Sequence, residues 1–185
     1  MSSSPDDPTF VGKDERVQNL RQLAKWRATA RVLTEALPYI QQFEKKTFVI
    51  KYGSAVMEEE RLKSSVAQDV TLLRKIGINI VVVHGGGKEI TSLSSKLNIE
   101  TKFVNGQRYT DENTRDVVQM VLAGSTNKDI VRRINIHGGR AVGVSGIDGG
   151  LITVNKYVKE DLGLVGEVVD VDASLIKNFL INNLK

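Results

Sequence analysis

The 185-residue sequence contains no cysteine. Disulfides, thiolate metal sites and cysteine nucleophiles are therefore excluded. Two histidines, His84 and His137, are too few for a histidine-built metal centre, so no resident metal site is expected. Carboxylates could still meet a magnesium ion carried on a nucleotide. No stretch approaches the roughly 20 apolar residues that span a bilayer, which excludes an integral helical membrane protein. The phosphate-loop pattern G-x-x-x-x-G-K-[ST], the dinucleotide fingerprint G-x-G-x-x-G and the hydrolase elbow G-x-S-x-G are all missing. Zinc-finger spacing and aromatic-plus-basic RNA motifs are missing as well.

What is present is an ordinary globular composition, 41% apolar and 26% charged, enough for one sizeable domain. The net charge is +4, but basic residues are interspersed with acids almost everywhere. A protein that handles anionic small molecules accounts for this as well as nucleic acid does, and no nucleic-acid or membrane partner is expected. Residues 1–12 are polar, carry Pro5 and Pro8 and show no periodicity, and they are expected to be a disordered leader. They lack a signal-peptide core, and two aspartates without arginine argue against a complete transit peptide. Residues 13–43 are expected to form a helical arm. Val17, Leu20, Ala24 and Ala28 fall at helical spacing, Lys13, Arg16, Arg21, Lys25, Arg27 and Arg31 give a basic face, and a second helix is expected after a break or kink at Pro38. Such a segment either packs on its own domain or docks another subunit.

From residue 44 onward the pattern alternates. A strand at Thr47–Ile50 ends in Lys51-Tyr52-Gly53-Ser54, and a helix over about 58–76 stops at Gly77. A second strand, Asn79–Val83, reads as buried on both faces and runs into His84-Gly85-Gly86-Gly87, where another helix opens. This order requires a parallel sheet covered by helices. The dipeptide Asn105-Gly106 marks a hairpin, Asp111 caps a helix that Gly124 closes, and Thr126 starts the next. Ala141–Ser145 reads as a further strand. Two paired strands follow at 151–154 and 165–170, then a last helix capped by Asp172 or Ser174 and running to about Leu184.

Ligands in parallel sheets bind outside the carboxyl ends of the strands, where Lys51 and the triglycine turn both fall. Two readings fit the turn: a cradle in which glycines let an anion reach backbone N–H groups, or a tight strand-to-helix connection without a ligand. Lys51 is either a fixed positive charge for phosphoryl transfer or a lysine laid over a strand end. Arg108 suits bidentate capture of a carboxylate, or an ordinary surface pairing with Asp111 or Glu112. His84 reads as a structural histidine, and Asp148 as a turn cap.

Taken together, VIKYGSAVM (49–57), VVVHGGGKEI (81–90), FVNGQRYTDENT (103–114), MVLAGSTNKDIV (120–131), AVGVSGIDGGLI (141–152) and LGLVGEVVDVD (162–172) resemble the amino-acid kinase family. The resemblance is strongest to the branch that phosphorylates N-acetyl-L-glutamate and runs from about residue 32 to the end of the sequence. It implies a three-layer α-β-α sandwich with a mainly parallel open sheet, of which residues 44–185 would form the acceptor-binding lobe. Lys51 would stabilise the phosphoryl group in flight, Gly85 and Gly86 would hold the carboxylate that is phosphorylated, and Arg108 would bind the α-carboxylate. Gly53, Ser54 and Gly87 are the remaining phosphate-loop candidates. ATP with Mg2+ would be the donor, bound mostly outside these residues. The arm resembles that of arginine-sensitive members, which implies a homo-oligomer, dimeric or hexameric through the helix, with the PII nitrogen-signal protein as a further partner in cyanobacteria and plastids. Cytoplasm or plastid would be the compartment.

Two departures stand against the pattern. Ser54 replaces a glycine usual in the family, and family members continue well beyond this length, into a nucleotide-binding lobe. The expectation is a kinase sequence inactive on its own. The alternative is a non-catalytic regulatory or oligomerising subunit, and a carbamate or aspartate kinase is less favoured.

Overall fold

A computed structural model describes residues 13–181; the expected leader and the end of the last helix lie outside the described residues. The chain divides into two compact units, residues 1–44 and 45–185. Within the first, one helix, α1 (Lys13–Phe43), includes Pro38. The expected break at that proline does not occur. Proline removes one donor, and the turns on either side still supply theirs. An Arg31–Glu35 ion pair at 2.8 Å and Thr34 bonded to the Ala30 carbonyl run along the helix just before the proline. Trp26 is 62% and Leu20 66% exposed.

In the second unit, β1 (Thr47–Tyr52) leads through α2 (Ser54–Glu58) and α3 (Glu60–Lys75) to β2 (Asn79–His84). The two strands are parallel, with Lys51 opposite Val83 and Tyr52 opposite His84. A right-handed crossover helix is the usual way to join such strands. α3 ends in a Schellman motif: Gly77, at φ 95°, donates to the Arg74 carbonyl and Ile78 to that of Leu73, both at 3.1 Å. Alternation along the strands sends Ile50, Ile80 and Val82 against Ala67 and Val70 of α3 and Ile134 of α6 (Asn127–Ile136). The opposite face differs from expectation, because Val49 is 69% and Val83 51% exposed. β2 is therefore covered on one face here. A largely apolar cavity of about 570 Å3 is lined by Ile80, Val82, His84, Asn127, Val131 and Phe179.

α4 (Gly87–Lys96) leaves the triglycine turn, and a short hairpin follows, β3 (Phe103–Val104) and β4 (Gln107–Arg108). Asn105 at φ 48° and Gly106 at φ 80° make the two-residue turn, as the dipeptide predicts. Asp111 accepts the Thr114 N–H at 2.8 Å and caps α5 (Glu112–Gln119). Gly124 does not close that helix. The chain continues through a π-helical turn, Met120–Thr126, directly into α6. Glycine stops a helix by turning left-handed, and Gly124 is not among the positive-φ glycines. Thr126 is likewise helical and makes no side-chain cap. The burial of Val117 and Val121 on one side and Ile134 on the other favours continuation.

Residues 141–145 are not a strand. Their backbone groups bond to α6 side chains instead: Ala141 N–H to Asn135, and the Gly143 and Val144 carbonyls to Lys128 and Asn127. The antiparallel pair β5 (Ile152–Lys156) and β6 (Gly166–Val171) follows as expected. α7 (Ser174–Ile181) has its first N–H, that of Ser174, on Asp172 at 2.8 Å. Among the described residues no helix is long and apolar enough to cross a membrane.

Candidate acceptor site at the triglycine turn

The parallel register of β1 and β2 sets Lys51 beside Val83, so its exposed side chain leaves the sheet next to the start of the turn. Gly53 precedes α2 in extended conformation. Ser54 opens that helix without a positive φ, so serine brings no backbone strain there. Lys88, in the first turn of α4, pairs with Glu58 at the end of α2 and ties the two segments that follow the strands. Gly85 and Gly87 have open space where a side chain would project. Gly86 does not: a Cβ there would lie 2.7 Å from Leu122 Cδ2 of the π-helical turn. The turn is thus open towards solvent and closed towards the helix behind it.

Arg108 reaches the same place from β4. One terminal nitrogen, Nη2, donates to the Gly87 carbonyl at 3.1 Å and to Thr91 Oγ1 at 2.8 Å. The guanidinium carbon sits 4.8 Å from the centroid of the Phe103 ring, across the hairpin. Its other terminal nitrogen, Nη1, is buried and has no hydrogen-bond partner among the described residues. Partial burial moves the Arg108 pKa below its usual value, but the group remains a cation at neutral pH. A buried, unpaired donor on a cation is costly in free energy and is well matched to an anionic oxygen. Pairing with Asp111 or Glu112, the alternative reading of Arg108, is not present; Asp111 serves as a helix cap.

The structure therefore brings Lys51, the turn at 85–87 and Arg108 to one end of the β1–β2 pair. Three contributors were not singled out from sequence. Phe103 and Thr91 brace the guanidinium; Phe103 belongs to a motif quoted for another reason, while Thr91 lies just beyond one, and its spacing four residues from Gly87 is the available signal for it. From sequence Asn127 reads as a helix-start residue of a capping type, and nothing local marks its contact across 43 positions with His84. Among the described residues there is no group of three or more metal-ligating side chains.

A parallel strand pair thus ends at a lysine and a glycine turn and is faced by a hairpin arginine, at the strand ends where α/β folds hold their ligands. The amino acid kinase family model matches residues 46–184, and the chain belongs to that family. It is 53% identical over 156 residues to the acetylglutamate kinase of Kosmotoga olearia, covering 84% of this chain and 55% of that protein. With the acetylglutamate kinase of Chlorobaculum parvum the identity is 58% over 146 residues, 78% of this chain and 48% of the relative. The chain spans about half the length of the curated relatives it matches. Among solved structures, N-acetylglutamate synthase from Neisseria gonorrhoeae, in complex with coenzyme A and N-acetyl-glutamate, superposes with a TM-score of 0.61 at 22% identity, over 81% of this chain and 34% of that one. That likeness shows the shared fold.

Proposed function

We propose that this chain supplies the acceptor side of an acetylglutamate kinase: ATP-dependent phosphorylation of the side-chain carboxylate of N-acetyl-L-glutamate, a step of arginine biosynthesis. The observation that carries this is the buried, unpartnered Nη1 of Arg108 beside the triglycine turn, read together with the named relatives. Arg108 binds the α-carboxylate. The N–H groups of Gly85 and Gly86 hold the reacting carboxylate, with Gly53, Ser54 and Gly87 around the incoming phosphate. Lys51 stabilises the phosphoryl group in transfer. A carboxylate oxygen attacks the γ-phosphorus of ATP, the bond to the bridging oxygen breaks, and ADP leaves with an acyl phosphate as the other product. The carboxylate is ionised at neutral pH, so no general base is required, and catalysis rests on positioning and charge neutralisation. ATP with its Mg2+ binds mostly to residues beyond those described, and the 185 residues alone are expected not to turn over.

Titration calorimetry with acetylglutamate, carbamate and aspartate tests the specificity. Acetylglutamate should bind best, and Arg108→Ala should weaken it by roughly 10- to 100-fold, the worth of one charged hydrogen-bonded pair. Preference for aspartate or carbamate would overturn the assignment. ADP release by the isolated chain in a coupled assay would overturn its dependence on further residues.

A second reading, a non-catalytic oligomerising or regulatory subunit, is favoured by one observation. Leu20, Trp26, Val32, Leu33 and Tyr39 of α1 are all exposed. The partner proposed is a second copy of the chain, giving a dimer or, through α1, a hexamer. The PII nitrogen-signal protein is a further partner of this reading, and cytoplasm or plastid its compartment. Deleting residues 1–31 should lower the molar mass measured by light scattering; an unchanged mass removes the arm from the assembly.

A further inference from the structure

The triglycine turn is held from behind by a hydrogen-bond chain whose proton positions follow from its chemistry. His84 Nδ1 lies 2.9 Å from the Gly85 carbonyl, which can only accept, so Nδ1 carries a proton. In the neutral ring Nε2 is then an acceptor, and the atom facing it is Asn127 Nδ2 at 3.4 Å. The orientation of that amide is fixed independently. Asn127 Oδ1 takes the Lys128 ammonium at 3.1 Å, and Nδ2 also donates to the Val144 carbonyl at 3.3 Å; a flipped amide would set donor against donor and acceptor against acceptor. Asn127 is 8% exposed. Its place is reserved: a Cβ on Gly143 would fall 1.8 Å from Asn127 Oδ1. It directly follows the π-helical turn, a rare form concentrated at functional sites. The same turn closes on Gly86 through Leu122.

We infer that Asn127 is a positioning residue for the acceptor site, acting through the tautomer of His84. In a trans peptide the C=O and N–H point in opposite directions. With its carbonyl held by His84, the Gly85–Gly86 peptide directs the Gly86 N–H away from the histidine and out of the turn, and that N–H makes no hydrogen bond among the described residues. Asn127 keeps Nε2 an acceptor, Nδ1 therefore keeps its proton, and the Gly86 N–H stays aimed where an anion would sit. The inference rests on the acceptor-site reading above for its ligand, though not for the tautomer itself.

The test has two parts. In the unaltered chain, nitrogen-15 NMR of the His84 ring should show Nδ1–H with Nε2 unprotonated; an Nε2–H tautomer overturns the inference whatever the ligand and however any variant folds. Asn127→Asp keeps the side-chain shape and removes the donor. It should weaken acetylglutamate binding by about tenfold, the scale of one buried hydrogen bond to a polar site. In the His84→Asn background the side-chain amide can donate to the Gly85 carbonyl unaided, so the same change should cost less than about twofold. Equal losses in both backgrounds would mean that Asn127 acts by packing alone, which overturns the role. Failure of the unaltered chain to bind acetylglutamate would instead remove the acceptor reading and leave the NMR result standing.

Discussion

The two ends of the second unit are finished to different degrees. Around the triglycine turn, α4, α5 and the π-helical turn enclose Ile90, Val117 and Val121 at 6%, 1% and 2% exposure, with Leu93, Ile99, Val118 and Leu122 packed around them. On the sheet, by contrast, Val49 and Val83 face solvent, among the described residues β2 is paired along one edge only, and a large, mainly apolar cavity extends from Ile80 and Val82 to His84 and Asn127. Parallel strands are ordinarily buried on both faces and paired along both edges. The cluster under the triglycine turn therefore holds its shape by local packing, while the sheet carries surface that packing has not covered.

Removing core volume from both ends breaks this comparison most directly. Ile90→Ala takes three carbons from the closed cluster and should cost about 2–5 kcal/mol in urea unfolding. Phe179→Ala removes more atoms from α7, but they line the open cavity, and the cost should stay below about 1 kcal/mol. Comparable losses would show that the cavity is not open in solution. Between the two lies Gly86→Ala. The added Cβ meets Leu122 Cδ2 at 2.7 Å, which is the end of a side chain able to shift, so about 1–3 kcal/mol is expected. Its loss of acetylglutamate affinity should exceed that of Gly124→Ala, where an added Cβ meets nothing. Equal affinities would sever the link between the π-helical turn and the site.

The same contrast explains what the sequence made legible. Features fixed by local backbone chemistry were readable: the Schellman end at Gly77, the Asn105-Gly106 turn, the Asp111 cap and the strand running into three glycines. Each depends on a few adjacent residues. Misreadings arose where distant packing overrode a local signal. Gly124 looks like a stop, yet buried Val117 on α5, Val121 in the π-helical turn and Ile134 on α6 keep one helix continuous across it. Pro38 looks like a break and is absorbed. Ala141–Ser145 has strand composition but bonds to α6 side chains in place of a neighbouring strand. The candidate site was readable as residue types at strand ends. Its bracing by Phe103 and Asn127 was not, because neither contact leaves a mark in local spacing, and the helical spacing of Thr91 from Gly87 does not by itself point to Arg108.

Where packing is incomplete, ion pairs take a larger part, and this gives the smallest of the expected effects. α3 and α6 are joined over the sheet by Arg133, which bonds Asp129 at 2.6 Å and Glu60 at 2.8 Å. Burial pushes the Asp129 carboxyl up, but the hydrogen bonds from Arg133 and Arg132 outweigh it and hold the group below its ordinary value of 3.8. A carboxylate depressed in the folded state contributes stability that is complete above the ordinary value and is lost as pH falls through the folded one. Asp129→Asn should therefore lower the urea midpoint at neutral pH, with the gap to the unaltered chain closing as pH falls below the ordinary value of 3.8 and through the lower folded one. Because the side chain is 34% exposed, solvent screening keeps this effect modest. A gap that stays constant across that range would assign the loss to shape and not to charge, and the sheet end would then owe its cohesion to the thin apolar seam of Ala67, Val70 and Ile134.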